Sequence, residues 1–581
     1  MICFEADIKG VALDFFCENL NILTNYLTAN KQLKLICGVN NFFSTQAQAT
    51  ELRDKISNNN SIVSDDRREY GDFQTNRNLA NEVAKYAQLK NPNIEFVLEP
   101  TCGKGNFILA CLQSFTNLKK IVGVEIYLPY VWETKLNILT FFLEHENRIK
   151  PDIDIFHHDA FEFDFENLSK STDEFITLVI GNPPWVTNSE LGSISSQNLP
   201  KKSNFKKHSG FEAITGKGNF DLGEYISLSL LKAFQNHNGL FTFLIKNSVV
   251  KNLIFSQNLN QFNIGDCEML NIDSKREFNV SVNASLFISR MGVAPEFDCD
   301  EFDFYDGNKT TTFGWYKQKF VYSVDDYDFS SVVDGKCPFV WRSGVKHDCS
   351  KVMELEKSDN LFRNSLGEEI QLEDGIVYGL LKSSDLKENE ISSFRKVTLI
   401  TQRKVGGDTK YIEDKFPLTY KYLVSHKEFF TSRKSSIYKD KPDFSIFGIG
   451  DYSFAKYKVA ISGLYKSTNF SIVLPDFEKP LMLDDTCYFI GFEDLKMARI
   501  AQFLLNSSLV QKFLKSIIFS DAKRCINKDI LMRIDLKEVF NATKFAAAQK
   551  VIQHLSKNDW ENFGVSLQSS CSSQTSLFDE C

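Results

Sequence analysis

The segment Gly181-Asn182-Pro183-Pro184-Trp185 carries the residue types needed for chemistry on an amino group attached to an aromatic ring. Such an amino group is a poor nucleophile, because its lone pair is delocalised into the ring. The side-chain oxygen of Asn182 and the carbonyl of Pro183 can accept both N–H groups, which frees the lone pair for attack on a sulfonium methyl group. Pro183 and Pro184 stiffen the loop and fix where its carbonyls point, and Trp185 offers a flat face for stacking a base. The loop therefore predicts methyl transfer to an amino group, and a merely rigid turn is the alternative.

A glycine-rich turn upstream predicts a site for the nucleoside part of a cofactor. Residues 99–107, Glu-Pro-Thr-Cys-Gly-Lys-Gly-Asn-Phe, follow an apolar strand and open a helix. Gly103 and Gly105 let the backbone approach a ligand, and the N-terminus of the helix favours an anionic group. Glu125 ends the next strand, where an acidic residue of a doubly wound fold accepts hydrogen bonds from ribose hydroxyls. A tight turn explains most isolated Gly-x-Gly pairs, so the prediction depends on Glu125.

Asp159 is a third candidate for contact with the cofactor. It follows the predicted strand Ile153–Phe156 in the segment His158-Asp159-Ala160-Phe161. A carboxylate at this place can accept a hydrogen bond from an adenine amino group. A loop carboxylate or a helix cap is the alternative interpretation.

Short apolar strands alternate with helices around these motifs, which predicts a mostly parallel, doubly wound α/β sheet. The predicted helices are 78–87, 106–115 and 224–235, and the predicted strands are 94–98, 121–124, 153–156, 177–180 and 239–245. The carboxyl ends of parallel strands meet at one edge of a sheet, so this topology is expected to bring the glycine turn, Glu125, Asp159 and the Asn-Pro-Pro loop together.

The length of 581 residues predicts two or three domains. Residues 1–65 read as a helical segment, and residues 66–300 carry the α/β pattern. After about residue 300 the alternation of strands and helices becomes irregular, so residues 301–565 are predicted to form a separate, mixed α+β domain. Residues 566–581 are rich in Ser and lack periodicity, which indicates a disordered tail.

The charge distribution argues against a protein that coats nucleic acid nonspecifically, because the net charge is −8. Residues 395–466 nevertheless contain 15 Lys and Arg against 7 Asp and Glu, which suits a site-specific DNA reader. A solvated lysine-rich surface is the alternative.

The 13 cysteines include no Cys-x-x-Cys pair and no zinc-like spacing with His, so no metal site is predicted. The first nine residues do not resemble a signal peptide, and no apolar run approaches the length of a membrane span. We expect reduced thiols and a cytoplasmic protein, associated with the nucleoid when it binds DNA.

With these motifs in this order, the sequence resembles the amino-group DNA methyltransferases of bacterial restriction–modification systems in their gamma arrangement. In that arrangement, a helper motif precedes the glycine turn and the target-recognition domain is C-terminal. Residues 70–76, Tyr-Gly-Asp-Phe-Gln-Thr-Asn, look like the helper motif, although family members usually have Pro in place of Asn76. The resemblance implies a Rossmann-like, S-adenosylmethionine-dependent domain that methylates N6 of a flipped-out adenine in double-stranded DNA. The residues expected to bind the cofactor are Phe73, Thr75, Glu99, Thr101, Gly103, Gly105, Glu125, Asp159 and Asn182, and the expected catalytic residues are Asn182, Pro183, Pro184, Trp185 and Phe278.

Three further segments fit the resemblance. Phe278 lies where the family often has an aromatic residue against the flipped base, and a core aromatic on a strand is the alternative. Residues Asn219–Tyr225 resemble the family element between the catalytic loop and the next helix. The polar stretch Ser189–Gly218 is expected to be mobile without DNA and to close over the substrate, with a solvated insertion as the alternative.

Clustered cations predict DNA contacts in the C-terminal region. Arg and Gln bind guanine and adenine edges, whereas Lys and Ser more often hold phosphates. The clusters are Trp341–His347, Gln402–Lys404, Ser432–Lys434 and Ala455–Lys458, and the sequence does not reveal which of them contact bases.

The end of the chain resembles the peptide with which bacterial proteins bind the replication sliding clamp. The matching residues are Gln574, Ser576, Leu577 and Phe578, and a chance match of so few residues is the alternative. A separate restriction endonuclease is a further expected partner, because about 65 N-terminal residues are too few for a nuclease domain with its carboxylate-rich metal site.

Two other functions compete with DNA methylation. Asn-Pro-Pro-aromatic loops also occur in RNA methyltransferases and protein glutamine methyltransferases, but those chains are usually shorter and lack a large C-terminal domain. A catalytically silent DNA-binding protein would have no use for both Glu125 and the segment Asn182–Trp185.

Overall fold

The computed structural model describes residues 10–57, 74–186, 221–358, 361–464, 467–519 and 524–569. The chain divides into two compact units, Met1–Phe320 and Val321–Cys581. The sequence-based division at residues 65, 300 and 565 stays a prediction. The stretch Ser189–Gly218, the end of the tail and Phe73 lie outside the described residues.

The first unit contains the α/β sheet and the helices between Gly10 and Phe278. The helices are α1 Gly10–Glu18, α2 Tyr26–Cys37, α3 Gln46–Ser57, α4 Arg77–Lys90, α5 Asn106–Ser114, α6 Leu128–Glu144, α7 Phe165–Lys170, α8 Leu222–Phe234, α9 Asn247–Asn260 and α10 Ser274–Phe278, with a 3-10 helix at Leu20–Thr24. The strands are β1 Phe96–Glu99, β2 Lys120–Glu125, β3 Asp152–His157, β4 Thr177–Gly181, β5 Gly239–Lys246, β6 Ile264–Ile272, β7 Ala284–Met291, β8 Asp298–Asp303, β9 Lys309–Tyr316 and β10 Lys319–Val321.

Among the described strands, these ten form one sheet in the order β3-β2-β1-β4-β5-β7-β6-β8-β9-β10. The strands from β3 to β5 are all parallel, and β7 runs antiparallel to both β5 and β6. Strands β1 and β4 are buried at every position, as expected for a parallel sheet covered on both faces. The predicted doubly wound fold is confirmed. The chain order reverses between β1 and β4, and ligands of such sheets bind at the carboxyl ends beside that point.

The N-terminal helices α1 and α2 pack against α6, and the segment after α2 pairs with the β3 edge of this sheet. Residues 38–40 pair with Ile153, because the N–H of Asn40 donates to the carbonyl of Ile153 and the N–H of Ile153 donates to the carbonyl of Gly38. The Lys135 ammonium on α6 donates to the carbonyls of Asn41 and Phe42 at 3.1 and 3.0 Å. Burial lowers the pKa of Lys135 to about 8.

The second unit is mixed α+β, as predicted, with two small sheets. The strands are β11 Arg342–Ser343, β12 Glu354–Ser358, β13 Leu361–Arg363, β14 Glu369–Ile370, β15 Val377–Leu381, β16 Glu390–Ile391, β17 Lys396–Leu399, β18 Tyr457–Ser462, β19 Ser471–Val473, β20 Met482–Leu483 and β21 Cys487–Phe492. They form the sheets β11-β21-β18-β19-β16 and β14-β13-β12-β17-β15-β20.

Short helices surround these sheets. They are α11 Val324–Ser330, α12 Ser350–Met353, α13 Tyr411–Lys415, α14 Pro417–Ser425, α15 Lys427–Thr431, α16 Leu495–Leu505, α17 Ser508–Ile517, α18 Lys528–Leu531, α19 Leu536–Ala542, α20 Phe545–Val551 and α21 Lys557–Ser569. Short 3-10 helices lie at Ser331–Val333, Asp374–Ile376, Ser383–Asp385, Ser436–Tyr438 and Asp451–Phe454. Within the described part of the chain, no helix is both long enough and apolar enough to cross a membrane.

Candidate active site

A pocket opens at the carboxyl ends of the parallel strands, beside the reversal between β1 and β4. Its walls include nine of the predicted site residues: Thr75, Glu99, Thr101, Gly103, Glu125, Asp159, Asn182, Pro183 and Pro184. These residues come from five separate segments of the sequence, and the fold brings them to one place. Gly105, Trp185 and Phe278 lie outside the pocket wall.

The glycine turn between β1 and α5 has a backbone that other residues do not readily adopt. Gly103 and Gly105 have φ angles of 50° and 78°, in the left-handed region. A Cβ on Gly105 would lie 2.7 Å from Cγ2 of Thr134, and one on Gly103 would lie 2.6 Å from Oε1 of Gln74. Gly105 is therefore needed for the turn to pack, whereas at Gly103 the end of the Gln74 side chain can shift and the positive φ is what disfavours another residue. Gly105 is also the N-cap residue of α5.

Glu125 holds the glycine turn from the end of β2. One carboxylate oxygen accepts from the N–H of Gly103 at 2.8 Å, and the other accepts from the N–H of Tyr127 at 2.7 Å. These bonds fix the carboxylate at the pocket wall. Each carboxylate oxygen has a second lone pair that can accept from a hydroxyl group of a ligand.

Glu99 is a buried carboxyl group at the end of β1. Its side chain is 2% exposed, and its Oε2 has no hydrogen-bond partner among the described residues. Burial raises the pKa of Glu99 well above its usual value, and the nearby charge of Glu125 raises it further. A cation or a hydrogen-bond donor in the pocket would relieve this penalty.

Asp159 combines two of the interpretations that the sequence allowed. Its Oδ1 accepts from the N–H of Phe161 at 2.8 Å, so it stabilises the turn after β3. The side chain also lines the pocket and is half-buried. Burial raises the pKa of Asp159, and the hydrogen bond from Phe161 opposes that shift.

The segment Gln74-Thr75-Asn76 connects the glycine turn to the Asn-Pro-Pro loop. The carbonyl of Thr75 accepts from Nδ2 of Asn106 at 2.8 Å, and Oε1 of Gln74 accepts from the N–H of Lys104 at 3.3 Å. Asn76 caps α4 through the N–H of Leu79 at 2.9 Å. The cap fixes the end of this segment at the start of α4, at the position where the family usually has Pro.

Asn182 lies at the end of β4, in contact with this segment. Its Nδ2 donates to Oγ1 of Thr75 at 3.2 Å, and its carbonyl accepts from Oγ1 of Thr101 at 3.4 Å. In this arrangement the amide nitrogen is the donor to Thr75, and the side-chain oxygen is left as the acceptor. The predicted role of the Asn182 oxygen requires this orientation.

Trp185 anchors the Asn-Pro-Pro loop to the sheet. Its side chain is 5% exposed, and its Nε1 donates to the carbonyl of Leu244 on β5 at 3.2 Å. Phe278 packs edge-on against it, with 4.8 Å between ring centroids. Phe278 ends the short helix α10, so the alternative interpretation is wrong about a strand, but its partly buried ring packs against the core as that alternative expected.

An ion pair outside the predicted site residues also positions the Asn-Pro-Pro loop. Asp221 caps α8 and forms an ion pair with Lys246 at 2.7 Å, with both side chains largely buried. The following N–H, of Leu222, donates to the carbonyl of Val186 at 3.1 Å. The segment Asn219–Tyr225, which resembles a family element, includes Asp221. For Lys246 the sequence shows only a single cation at the end of an apolar strand.

Comparison with known proteins gives the family. No model of a protein family matches the sequence. The chain is 39% identical over 471 residues to the type II methyltransferase M.NspV of Nostoc sp. (strain ATCC 29411 / PCC 7524), which covers 81% of this chain and 96% of that protein. This chain belongs to the type II methyltransferases of restriction–modification systems.

Solved structures of restriction–modification enzymes are similar to this type II methyltransferase. The type IIL enzyme MmeI, solved in complex with DNA, aligns with a TM-score of 0.50 and 12% identity over 85% of this chain and 71% of MmeI. The type IIG restriction endonuclease BpuSI aligns with a TM-score of 0.36 and 13% identity over 90% and 69% of the two chains. The MmeI alignment supports the fold.

The cofactor of this type II methyltransferase is S-adenosylmethionine, and the pocket residues fit it. The molecule carries a cationic sulfonium and ammonium, ribose hydroxyls, an adenine amino group and one carboxylate. Glu99, Glu125 and Asp159 would supply acceptors for its donors and cations, and the N-terminus of α5 would favour its carboxylate. The buried Oε2 of Glu99, which has no partner among the described residues, is the observation that most directly fits a donor group of such a molecule.

Proposed function

We propose that this type II methyltransferase transfers a methyl group from S-adenosylmethionine to N6 of adenine in a specific double-stranded DNA sequence. The observation that supports it is the position of Asn182, Pro183 and Pro184 in the wall of the pocket that contains Glu99 and Glu125. Acceptors for an amino group thus lie beside acceptors for the cofactor. The pocket accommodates a base only after the base leaves the duplex.

The chain's own residues activate the adenine amino group by hydrogen bonding. When bound, S-adenosylmethionine supplies an electrophilic methyl group on its sulfonium. The side-chain oxygen of Asn182, oriented by Thr75, and the carbonyl of Pro183 accept the two N–H groups. These bonds draw the lone pair away from the ring and make the nitrogen a better nucleophile. Phe278, packed on Trp185, stacks on the flipped base.

The remaining sequence-based predictions belong to the same proposal. Thr75, Thr101, Gly103, Gly105, Glu125 and Asp159 hold the cofactor, together with Phe73 of the helper motif. Residues 66–300 form the catalytic domain and residues 301–565 read the DNA target. The proposed partners are double-stranded DNA, a separate restriction endonuclease, and the sliding clamp through residues 574–578, which lie outside the described part of the chain.

Methylation in a methylation-free bacterial host tests the proposal. The host DNA is sequenced by a method that detects N6-methyladenine, after expression of the wild type, Asn182→Ala or Asn93→Ala. The wild type and Asn93→Ala, which alters an exposed turn residue, should both methylate one short sequence. Asn182→Ala should lose most of the signal, because it removes an acceptor for the amino group.

Two results would contradict the proposal. Methylation of N4 of cytosine at a short sequence would show that the target atom is not N6 of adenine. Unmethylated DNA, from folded protein that binds S-adenosylmethionine, would instead favour an RNA or protein amino group as the substrate.

A further inference from the structure

The basic segment 395–466 separates into cations that are already neutralised and cations that are not. Several form ion pairs within the second unit: Arg395 with Asp385 at 2.5 Å, Lys427 with Asp443 at 2.8 Å and Lys456 with Glu478 at 2.9 Å. Lys458 and Arg433 are also occupied, since they donate to backbone carbonyls. The excess positive charge of this segment is therefore concentrated in fewer side chains than the sequence indicates.

Arg403 and Lys404 belong to the group that is not neutralised. Both side chains are exposed, and neither forms an ion pair with an acidic residue in the described ranges. They lie in a short loop, residues 402–408, in which residues 403–406 are all exposed. The loop therefore presents two adjacent cations in a protein of net charge −8.

The loop is held in one conformation. The N–H of Gly407 donates to the carbonyl of Lys404 at 3.0 Å, which closes a β-turn, and Gly406 has the φ of +72° that a type II turn requires at its third residue. Gln402 is 1% exposed; its Nε2 donates to the carbonyl of Gly407, and its Oε1 accepts from the N–H of Ile446 at 2.9 Å. A buried side chain thus fastens the base of the loop to a neighbouring segment. Both ends of the Gln402 amide are therefore hydrogen-bonded within the second unit.

Arg403 is also restrained. Its guanidinium carbon lies 4.4 Å from the ring centroid of Phe454, which itself packs against the core and against Tyr378. A guanidinium stacked on a ring retains the N–H groups along its edge as donors, and it loses less entropy on binding than a mobile side chain. A cation held this way is suited to recognition of a planar acceptor pair.

We propose that the loop 402–408 reads the DNA target and that Arg403 donates two hydrogen bonds to O6 and N7 of a guanine in the major groove. An arginine bonded in this way to guanine is the commonest specific contact between protein and base. Lys404 binds a neighbouring phosphate, because a lysine provides a point charge without that planar geometry. The inference rests on the proposed function, and it assigns a specificity-determining residue to it.

The test compares the full-length wild type with Arg403→Ala, Arg403→Lys and Arg395→Ala in the methylation-free host. Arg403→Ala and Arg403→Lys should both methylate the recognition sequence about tenfold less efficiently or worse, and both should accept other bases at one guanine position. Arg395→Ala removes the same charge from an arginine paired with Asp385, and it should keep the wild-type sequence and efficiency.

Three outcomes overturn the inference while the wild type still methylates DNA. An unchanged sequence and efficiency for Arg403→Ala would show that Arg403 does not contact DNA. Activity lost in Arg403→Ala but restored in Arg403→Lys, with the recognition sequence unchanged, would show a phosphate contact. A relaxed position that is not a guanine would also contradict it. Failure of the wild type to methylate DNA would instead contradict the proposed function.

Discussion

Thr75 provides the most direct test of how the fold orients the catalytic amide. Its hydroxyl accepts the hydrogen bond from Nδ2 of Asn182 at 3.2 Å, and its side chain is 6% exposed. Thr75→Val keeps the shape and removes the acceptor. Loss of one partner from a buried hydrogen bond costs about 1–3 kcal/mol. If that energy serves to hold the Asn182 oxygen toward the substrate, the methylation rate should fall about 5- to 150-fold.

Single-turnover methylation of an oligonucleotide that contains the recognition sequence measures this effect. Thr75→Ser is the matched control: it keeps the hydroxyl, and its rate should stay within a few-fold of the wild type. Binding of S-adenosylmethionine to each variant, measured by calorimetry, separates loss of orientation from loss of cofactor. A Thr75→Val rate within twofold of the wild type would refute the reasoning. So would a Thr75→Val defect that disappears at saturating cofactor.

The remaining predictions concern backbone, capping and pH. Gly105→Ala should destabilise the protein to urea more than Gly307→Ala, since both have positive φ but only the former would clash with a neighbour. Asn76→Ala should lower the free energy of unfolding by about 1 kcal/mol, and Asn76→Ser should recover most of it, because Ser also caps helices. Burial raises the pKa of Asp159, so its charge destabilises the fold above that pKa. Asp159→Asn should therefore raise the free energy of unfolding at neutral pH, and this gain should vanish in acid. Urea denaturation of the wild type and the variant over a series of pH values measures the difference.

The local motifs of the site were predictable because their physical requirements are local. A Gly-x-Gly turn after an apolar strand needs only neighbouring residues to define it, and the structure places Gly103 and Gly105 in the expected left-handed conformation. The helices and strands around it agree with the predicted ones to within a few residues at their ends, as with helix 78–87 against Arg77–Lys90. The spacing of apolar residues shows which face of an element is buried. It therefore predicts whether the element is a helix or a strand better than it predicts where the element begins and ends.

Contacts between distant segments were not predictable. Asp221 and Lys246 are 25 residues apart, and no pattern of residue types indicates that they form a largely buried pair beside the catalytic loop. Trp185 looked from the sequence like an open stacking surface, yet the structure buries it against Phe278 and bonds it to Leu244. Gln402 likewise looked like a base reader and is instead an internal brace.

The sequence by itself indicated the family, because the segment Asn182–Trp185 and the order of the motifs are typical of methyltransferases of restriction–modification systems, and the similarity to M.NspV confirms that family. It also determined the doubly wound sheet, because strand and helix periodicities are properties of neighbouring residues. Only the tertiary structure decided the hydrogen bond between Asn182 and Thr75, the burial of a Glu99 oxygen that has no partner among the described residues, and the exposed, braced loop at Arg403. The physical reason is that hydrogen bonding and burial depend on which distant segments meet, and one-dimensional spacing does not contain that information.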